Sequence, residues 1–68
     1  MAVARVTTII SSSDKSWQDA ADQGFKRARK TLRGITGMRV LEQTIQIQKG
    51  KISEYRVRLE VLFILDDE

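Results

Sequence analysis

The segment that most constrains the fold is 54–65, whose residues alternate in polarity along most of its length. Its odd positions are all apolar: Tyr55, Val57, Leu59, Val61, Phe63 and Leu65. Its even positions begin polar and become apolar at Leu62 and Ile64. A period of two with many β-branched and aromatic residues is typical of a strand with one buried face. We therefore predict a strand with one buried face. Its second face is exposed to solvent in the first part of the strand and must pack against other apolar groups near Leu62 and Ile64.

Size and composition indicate how such a strand can be stabilised. The chain has 68 residues, and small domains usually need disulfides, metal or oligomerisation to supplement their core. It has no Cys and no His, so disulfides, thiolate nucleophiles and the usual general base are excluded. No paired-carboxylate motif or glycine-rich phosphate loop is present, and we do not expect an enzyme. Oligomerisation is the expected source of extra stability.

The expected location is the cytoplasm, without a membrane partner. No apolar run reaches the roughly 18–20 residues needed to cross a bilayer. The first five residues lack the basic-then-apolar order of a signal peptide. The net charge of +3 is mild, and nucleic acid is not the expected partner. The basic run at 26–33 leaves a small nucleic-acid- or translocation-associated protein as an alternative.

Three further elements are predicted from local patterns. Residues 3–12 are β-branched and Thr-rich, which favours a strand. Residues 16–33 are predicted to be a helix with Ser13 or Ser16 as N-cap and Gly34 as its C-terminal stop. Residues 38–48 are predicted to be a strand with a bulge at Val40 and Leu41. The predicted helix has one stripe of small and apolar residues: Trp17, Ala20, Ala21, Gly24, Ala28 and Leu32.

These elements predict one α+β domain over residues 1–68, with the order β-α-β-β. A short turn at 49–51 makes the last two strands a hairpin. The strand order 1-3-2 makes every neighbouring pair antiparallel and puts the most regular strand in the centre. One helix covers one face, so Leu62 and Ile64 need cover from other copies. Trp17 is a further candidate for the core or a subunit interface.

The ordered set of segments resembles the dodecin family across nearly the whole chain. Dodecins are small bacterial and archaeal proteins in which a curved antiparallel sheet wraps a helix, and twelve copies form a hollow shell. The resemblance therefore implies a homododecamer. The segments that carry it are 12–21, 27–32, 40–43 and 54–61, together with Phe63.

The resemblance also implies where a ligand binds. Flavin-binding dodecins stack the flavin ring on a Trp near the start of the second strand and hold its polar edge with a Gln after the Tyr of the third strand. This sequence has Gly37 and Arg56 at those positions. It is more similar to the branch described as calcium-binding, and strong flavin binding is not expected. The candidate ligand-binding residues are Gly37, Arg39, Gln43 and Arg56.

Two interpretations of the charged residues on the second and third strands remain open. Glu42 and Glu60 can simply neutralise the arginines at 39, 56 and 58 across the hairpin. Alternatively, Glu42, repeated by the symmetry of a shell, binds Ca²⁺ or Mg²⁺, while Arg56 receives an anionic ligand. The predicted function is non-enzymatic binding or storage of a small ligand or metal ion. Storage of riboflavin or FMN is an alternative.

Overall fold

A computed structural model describes residues 3–65 as a three-stranded antiparallel sheet with one helix. The elements are β1 (Val3–Ser13), α1 (Trp17–Ala28), β2 (Ile35–Gln48) and β3 (Lys51–Leu65). The sheet order is β1-β3-β2, with both pairs antiparallel. The predicted topology and the central place of β3 are confirmed. No helix of the described chain is long and apolar enough to span a membrane.

The β2–β3 hairpin has the predicted tight turn and the predicted bulge. Lys49 and Gly50 have φ of 53° and 75°, as in a two-residue turn that matches the strand twist. Val40 pairs with Leu59 and Glu42 pairs with Arg58, so Leu41 has no partner in the ladder. Residues three apart on a regular strand point to opposite faces. The bulge therefore brings Arg39 and Glu42 to the same face.

The predicted N-cap is confirmed, but the helix is shorter than predicted. The Ser16 hydroxyl accepts a hydrogen bond from the Asp19 amide at 2.9 Å. α1 ends at Ala28 rather than near residue 33. The Lys30 and Thr31 amides donate to carbonyls three residues back, at 3.2 and 3.1 Å. The apolar stripe continues to Leu32, so periodicity alone could not locate this tighter turn.

Gly34 does not cap the helix, which corrects the sequence prediction. It lies at the start of β2 with φ of +72°, and its carbonyl accepts from the Ile64 amide at 3.0 Å. A Cβ at this position would lie 2.9 Å from the Ile64 carbonyl oxygen. A left-handed backbone conformation was expected at Gly34. Glycine is needed there because β3 approaches the backbone closely, and not because the helix ends at this residue.

Gly34→Ala is expected to lower the free energy of unfolding by about 2–4 kcal/mol. The positive φ is strained for any residue with a Cβ, and the added Cβ would also overlap the Ile64 carbonyl oxygen. Gly37→Ala is the matched control, because nothing lies within 4 Å of a Cβ built there. Thermal unfolding followed by circular dichroism measures both variants. Equal melting temperatures for the two variants would contradict this account of Gly34.

The core lies between α1 and the β1–β3 half of the sheet. Val57, Leu59 and Val61 are the largest fully buried side chains. A Cβ on Gly24 would lie 3.0 Å from Leu59 Cδ1 and 3.2 Å from Ser11 Cβ. The absence of a side chain at Gly24 therefore lets α1 pack closely on the sheet.

The chain is more extended than a compact monomer of its length, and its surface carries many exposed apolar side chains. Its radius of gyration is 14.1 Å, whereas a compact domain of this length has about 11 Å. Its accessible surface is 5411 Å², against about 4,400 Å² for a compact monomer of this mass. Eleven large apolar side chains within residues 3–65 are at least 37% exposed. Such a surface is typical of a subunit that associates with other copies.

Candidate functional site

The face of the sheet opposite α1 carries most of the predicted site residues, and we call it the open face. The buried odd positions of β3 pack on the helix side, so the even positions 56–64 belong to the open face. Register then assigns the residues of the neighbouring strands. The paired rows are Ser12–Arg56–Thr44, Ile10–Arg58–Glu42, Thr8–Glu60–Arg39 and Val6–Leu62–Gly37.

Ion pairs connect the charged residues of the open face. Arg39 Nη2 lies 3.4 Å from Glu60 Oε1, and Arg58 Nη2 lies 3.4 Å from Glu42 Oε1. Two of the three arginines thus have the carboxylate partners that the first interpretation gives them. Exposed pairs of this kind contribute at most about 1 kcal/mol each. They order the side chains without accounting for much of the stability.

Arg56 has a different partner from the one expected. Its Nη2 donates to Glu54 Oε2 at 2.7 Å, along the same strand. Hydrogen bonds from Arg56, and then from Ser12, lower the pKa of Glu54 below its usual value. Glu54 therefore stays ionised to lower pH than a free carboxyl group. The spacing of two residues places both side chains on one face and was the available signal for this pair. An anionic ligand at Arg56 has to compete with Glu54.

Among Glu42, Glu54 and Glu60, Glu42 has the most exposed side chain. Its side chain is 53% exposed, although Arg58 contacts one of its oxygens. Glu42, Thr44 and Gln46 line a depression of about 220 Å³ and offer oxygen ligands there, but Arg56 and Arg58 line it too and would have to move away from a bound cation. Hard cations prefer six to eight such ligands. Within residues 3–65, no cluster of three or more acidic residues could hold a metal.

Gly37 and Arg56 are too far apart to share a small ligand within one chain. Gly37 pairs with Leu62, which is six positions from Arg56 along β3. At about 3.3 Å per residue, the separation is roughly 20 Å. Gly37 borders a cavity of about 240 Å³ with Val6 and Leu62. No ring is available there for stacking.

Gln43 lies away from the other predicted ligand residues. It pairs with Val57, whose side chain is buried on the helix side. The structure therefore places Gly37, Arg39 and Arg56 on the open face and Gln43 on the other. The bulge at Leu41 separates Gln43 in this way, because it shifts the alternation of β2 by one residue.

The predicted interface residues also divide between the two sides of the sheet. Leu62 is 38% exposed on the open face, and Ile64 is half-buried there. Trp17 lies on the helix side, where its Nε1 donates to the Thr44 carbonyl at 3.1 Å. Its ring also packs edge-to-face on Tyr55, with centroids 5.3 Å apart. Trp17 thus packs within its own chain, and its place in an interface stays a prediction.

Comparison with known proteins identifies the family. Residues 3–66 match the family described as Dodecin. The calcium dodecin of Mycobacterium tuberculosis is 42% identical over 64 residues, which cover 93% of this chain and 89% of the relative. The chain belongs to the dodecin family.

Solved structures agree with this assignment. The dodecin of Streptomyces coelicolor matches with a TM-score of 0.93 at 27% identity, covering 98% of this chain and 96% of that one. A Thermus thermophilus protein, tt0972, matches with a TM-score of 0.93 at 31% identity over 100% of both chains. The Mycobacterium tuberculosis calcium dodecin, described as calcium chelating with a novel calcium-binding site, has a TM-score of 0.84 at 39% identity. That match covers 97% of this chain and 94% of the other.

Proposed function

We propose that this protein forms a hollow homododecamer that binds a divalent cation, Ca²⁺ in preference to Mg²⁺, without catalysing a reaction. The observation that carries the proposal is the exposed carboxylate of Glu42 beside the oxygen-bearing side chains of Thr44 and Gln46. Flexible oxygen sites with several ligands suit Ca²⁺ better than Mg²⁺, which demands a strict octahedron. The calcium dodecin relative supports the same choice of ion.

The assembly is part of this proposal because one chain does not complete the site. Each copy offers the exposed Glu42 carboxylate on its open face, and symmetry multiplies it where copies meet. Association would also cover Val6 and Ile10, which are 51% and 62% exposed. The same contacts therefore stabilise the fold and bring the ligands together. Binding of Ca²⁺ at Glu42 has to displace Arg58. Salt screens the attraction of the divalent ion for the carboxylate more than that of the singly charged Arg58, so the affinity should fall as ionic strength rises.

Native mass spectrometry of protein purified without added ligand tests both parts of the proposal. The expected result is a mass of twelve chains with additional mass from bound calcium. A stable monomer or dimer would contradict the assembly. Twelve chains that bind no calcium on titration would contradict only the choice of ligand.

Glu42→Gln is expected to weaken Ca²⁺ binding by at least about tenfold, because it removes a charged oxygen ligand and keeps the shape of the side chain. Calorimetric titration of the metal-free protein measures the affinity. Glu60→Gln is the matched control, since it removes the same charge from the open face. Equal losses in both variants would show that only net charge matters, and would remove Glu42 from the site.

A further inference from the structure

A second charged surface, formed by the end of α1 and the following turn, is separate from the open face. Residues 23–34 contain five basic and no acidic residues, so they carry +5. The whole chain is +3, which leaves −2 on the other 56 residues. We call this surface the basic patch. Its residues are Lys26, Arg27, Arg29, Lys30 and Arg33.

The basic patch is exposed, and none of its residues forms an ion pair within the described chain. All five residues are exposed to solvent. The ion pairs found in residues 3–65 involve Arg39, Arg56 and Arg58 instead. The Arg29 guanidinium lies 5.9 Å from the centroid of the Phe25 ring. This cation–π contact holds the side chain in place.

Helix electrostatics explain only part of the basic patch. Cations complement the negative end of a helix dipole, and the effect falls off within the last turn. α1 ends at Ala28, so its last turn contains only Lys26 and Arg27. Lys30 and Arg33 lie beyond the helix. A helix that continued to residue 33, as the sequence predicts, would have brought Lys30 and Arg33 into its last turn.

We propose that the basic patch binds the phosphate backbone of double-stranded nucleic acid, without reading its sequence. A duplex carries one charge per about 1.7 Å of its axis, so a cluster of five cations can contact several phosphates. Guanidinium and ammonium groups both suit phosphate oxygens. This function is independent of the cation at Glu42, although an assembly with repeated patches would bind more tightly through avidity.

Two other polyanionic partners fit the surface less well. Single strands are held by stacking on exposed aromatic rings, whereas every aromatic residue of this chain is buried or half-buried. Membrane-surface helices insert an apolar face between lipids. The small apolar stripe of α1, including Ala20, Gly24 and Ala28, is already buried against the sheet.

Fluorescence anisotropy of a labelled 20-bp DNA duplex, titrated with the full chain at several salt concentrations, tests the proposal. Binding is expected to weaken linearly on logarithmic axes as salt rises. Lys26→Gln/Lys30→Gln is expected to reduce the salt slope by about 2 and to weaken binding by about tenfold or more. The matched control is Lys49→Gln/Lys51→Gln, which removes two exposed lysines at the hairpin turn. It should change the affinity by less than about twofold.

Three results would overturn the proposal. The first is no binding to the duplex at 50 mM salt. The second is an equal loss in both double variants, since binding would then reflect net charge alone. The third is tighter binding to a single strand of the same length or to vesicles containing anionic lipid. Duplex binding that persists in Glu42→Gln would show that the two sites are separate, and its loss there would contradict the proposed independence.

Discussion

Leu62→Asp is expected to dissociate the assembly into small species. Leu62 is 38% exposed on the open face, beside Val6 and Gly37 in the paired strands. In the proposed shell this row is buried between copies. An unpaired carboxylate in an apolar contact costs several kcal/mol, and the cost recurs in every copy. Light scattering and native mass spectrometry measure the change in mass.

Leu62→Met is the control for this experiment, because a swap of similar volume costs less than about 1.5 kcal/mol. It should retain the mass of the parent protein. Circular dichroism then shows whether the dissociated Leu62→Asp chain stays folded. Either a folded or an unfolded small species agrees with the open face as an interface. An intact assembly of Leu62→Asp would show that copies do not meet at this row.

Gly37→Trp combined with Arg56→Gln is expected to install strong flavin binding, which we do not expect of the parent protein. The resemblance to flavin-binding dodecins places a stacking Trp and a hydrogen-bonding Gln at these positions. Nothing lies within 4 Å of a Cβ on Gly37, so the fold has room for a larger side chain. Stacking contributes about 1–3 kcal/mol and a hydrogen bond about 0.5–1.5 kcal/mol. Together they raise the affinity roughly ten- to two-thousandfold.

Quenching of riboflavin and FMN fluorescence measures this gain. Each single variant should gain less than the double variant. The two positions are about 20 Å apart in one chain, so the gain should disappear when Leu62→Asp is added. Tight flavin binding by the parent protein would contradict the interpretation of Gly37 and Arg56. A gain that survives dissociation would contradict a site shared between copies.

The strands and their order were predictable because local patterns encode them. The alternation of 54–65 indicated both the element and its buried face, and Val57, Leu59 and Val61 are buried as expected. The turn at Lys49 and Gly50 predicted the hairpin. The adjacent Val40 and Leu41 indicated a bulge, since two neighbouring apolar residues cannot both follow the alternation.

The arrangement of the candidate site was much less predictable. Sequence analysis grouped Gln43 with Arg39 and Arg56, but the bulge places it on the helix side. It also paired Arg56 with residues across the hairpin, whereas the structure pairs it with Glu54. The first error comes from the bulge, because a shift of one residue in register exchanges the two faces of a strand. The second has another cause: Glu54 lies two residues from Arg56 on the same strand and is nearer than the carboxylates across the hairpin.

The sequence by itself determined the elements, the antiparallel order and the face of β3 that packs on the helix. These follow from periodicity, turn residues and chain connectivity, which act over short distances along the chain. The tertiary structure decided that α1 stops at Ala28, that Gly34 fits against Ile64, and that Glu42 shares a face with Arg39. Each depends on contacts between segments distant in sequence, and no local pattern records their register. The same contacts leave Leu62 exposed at the apolar end of β3. They also place Gly37 and Arg56 too far apart for both to contact one small ligand within a single chain.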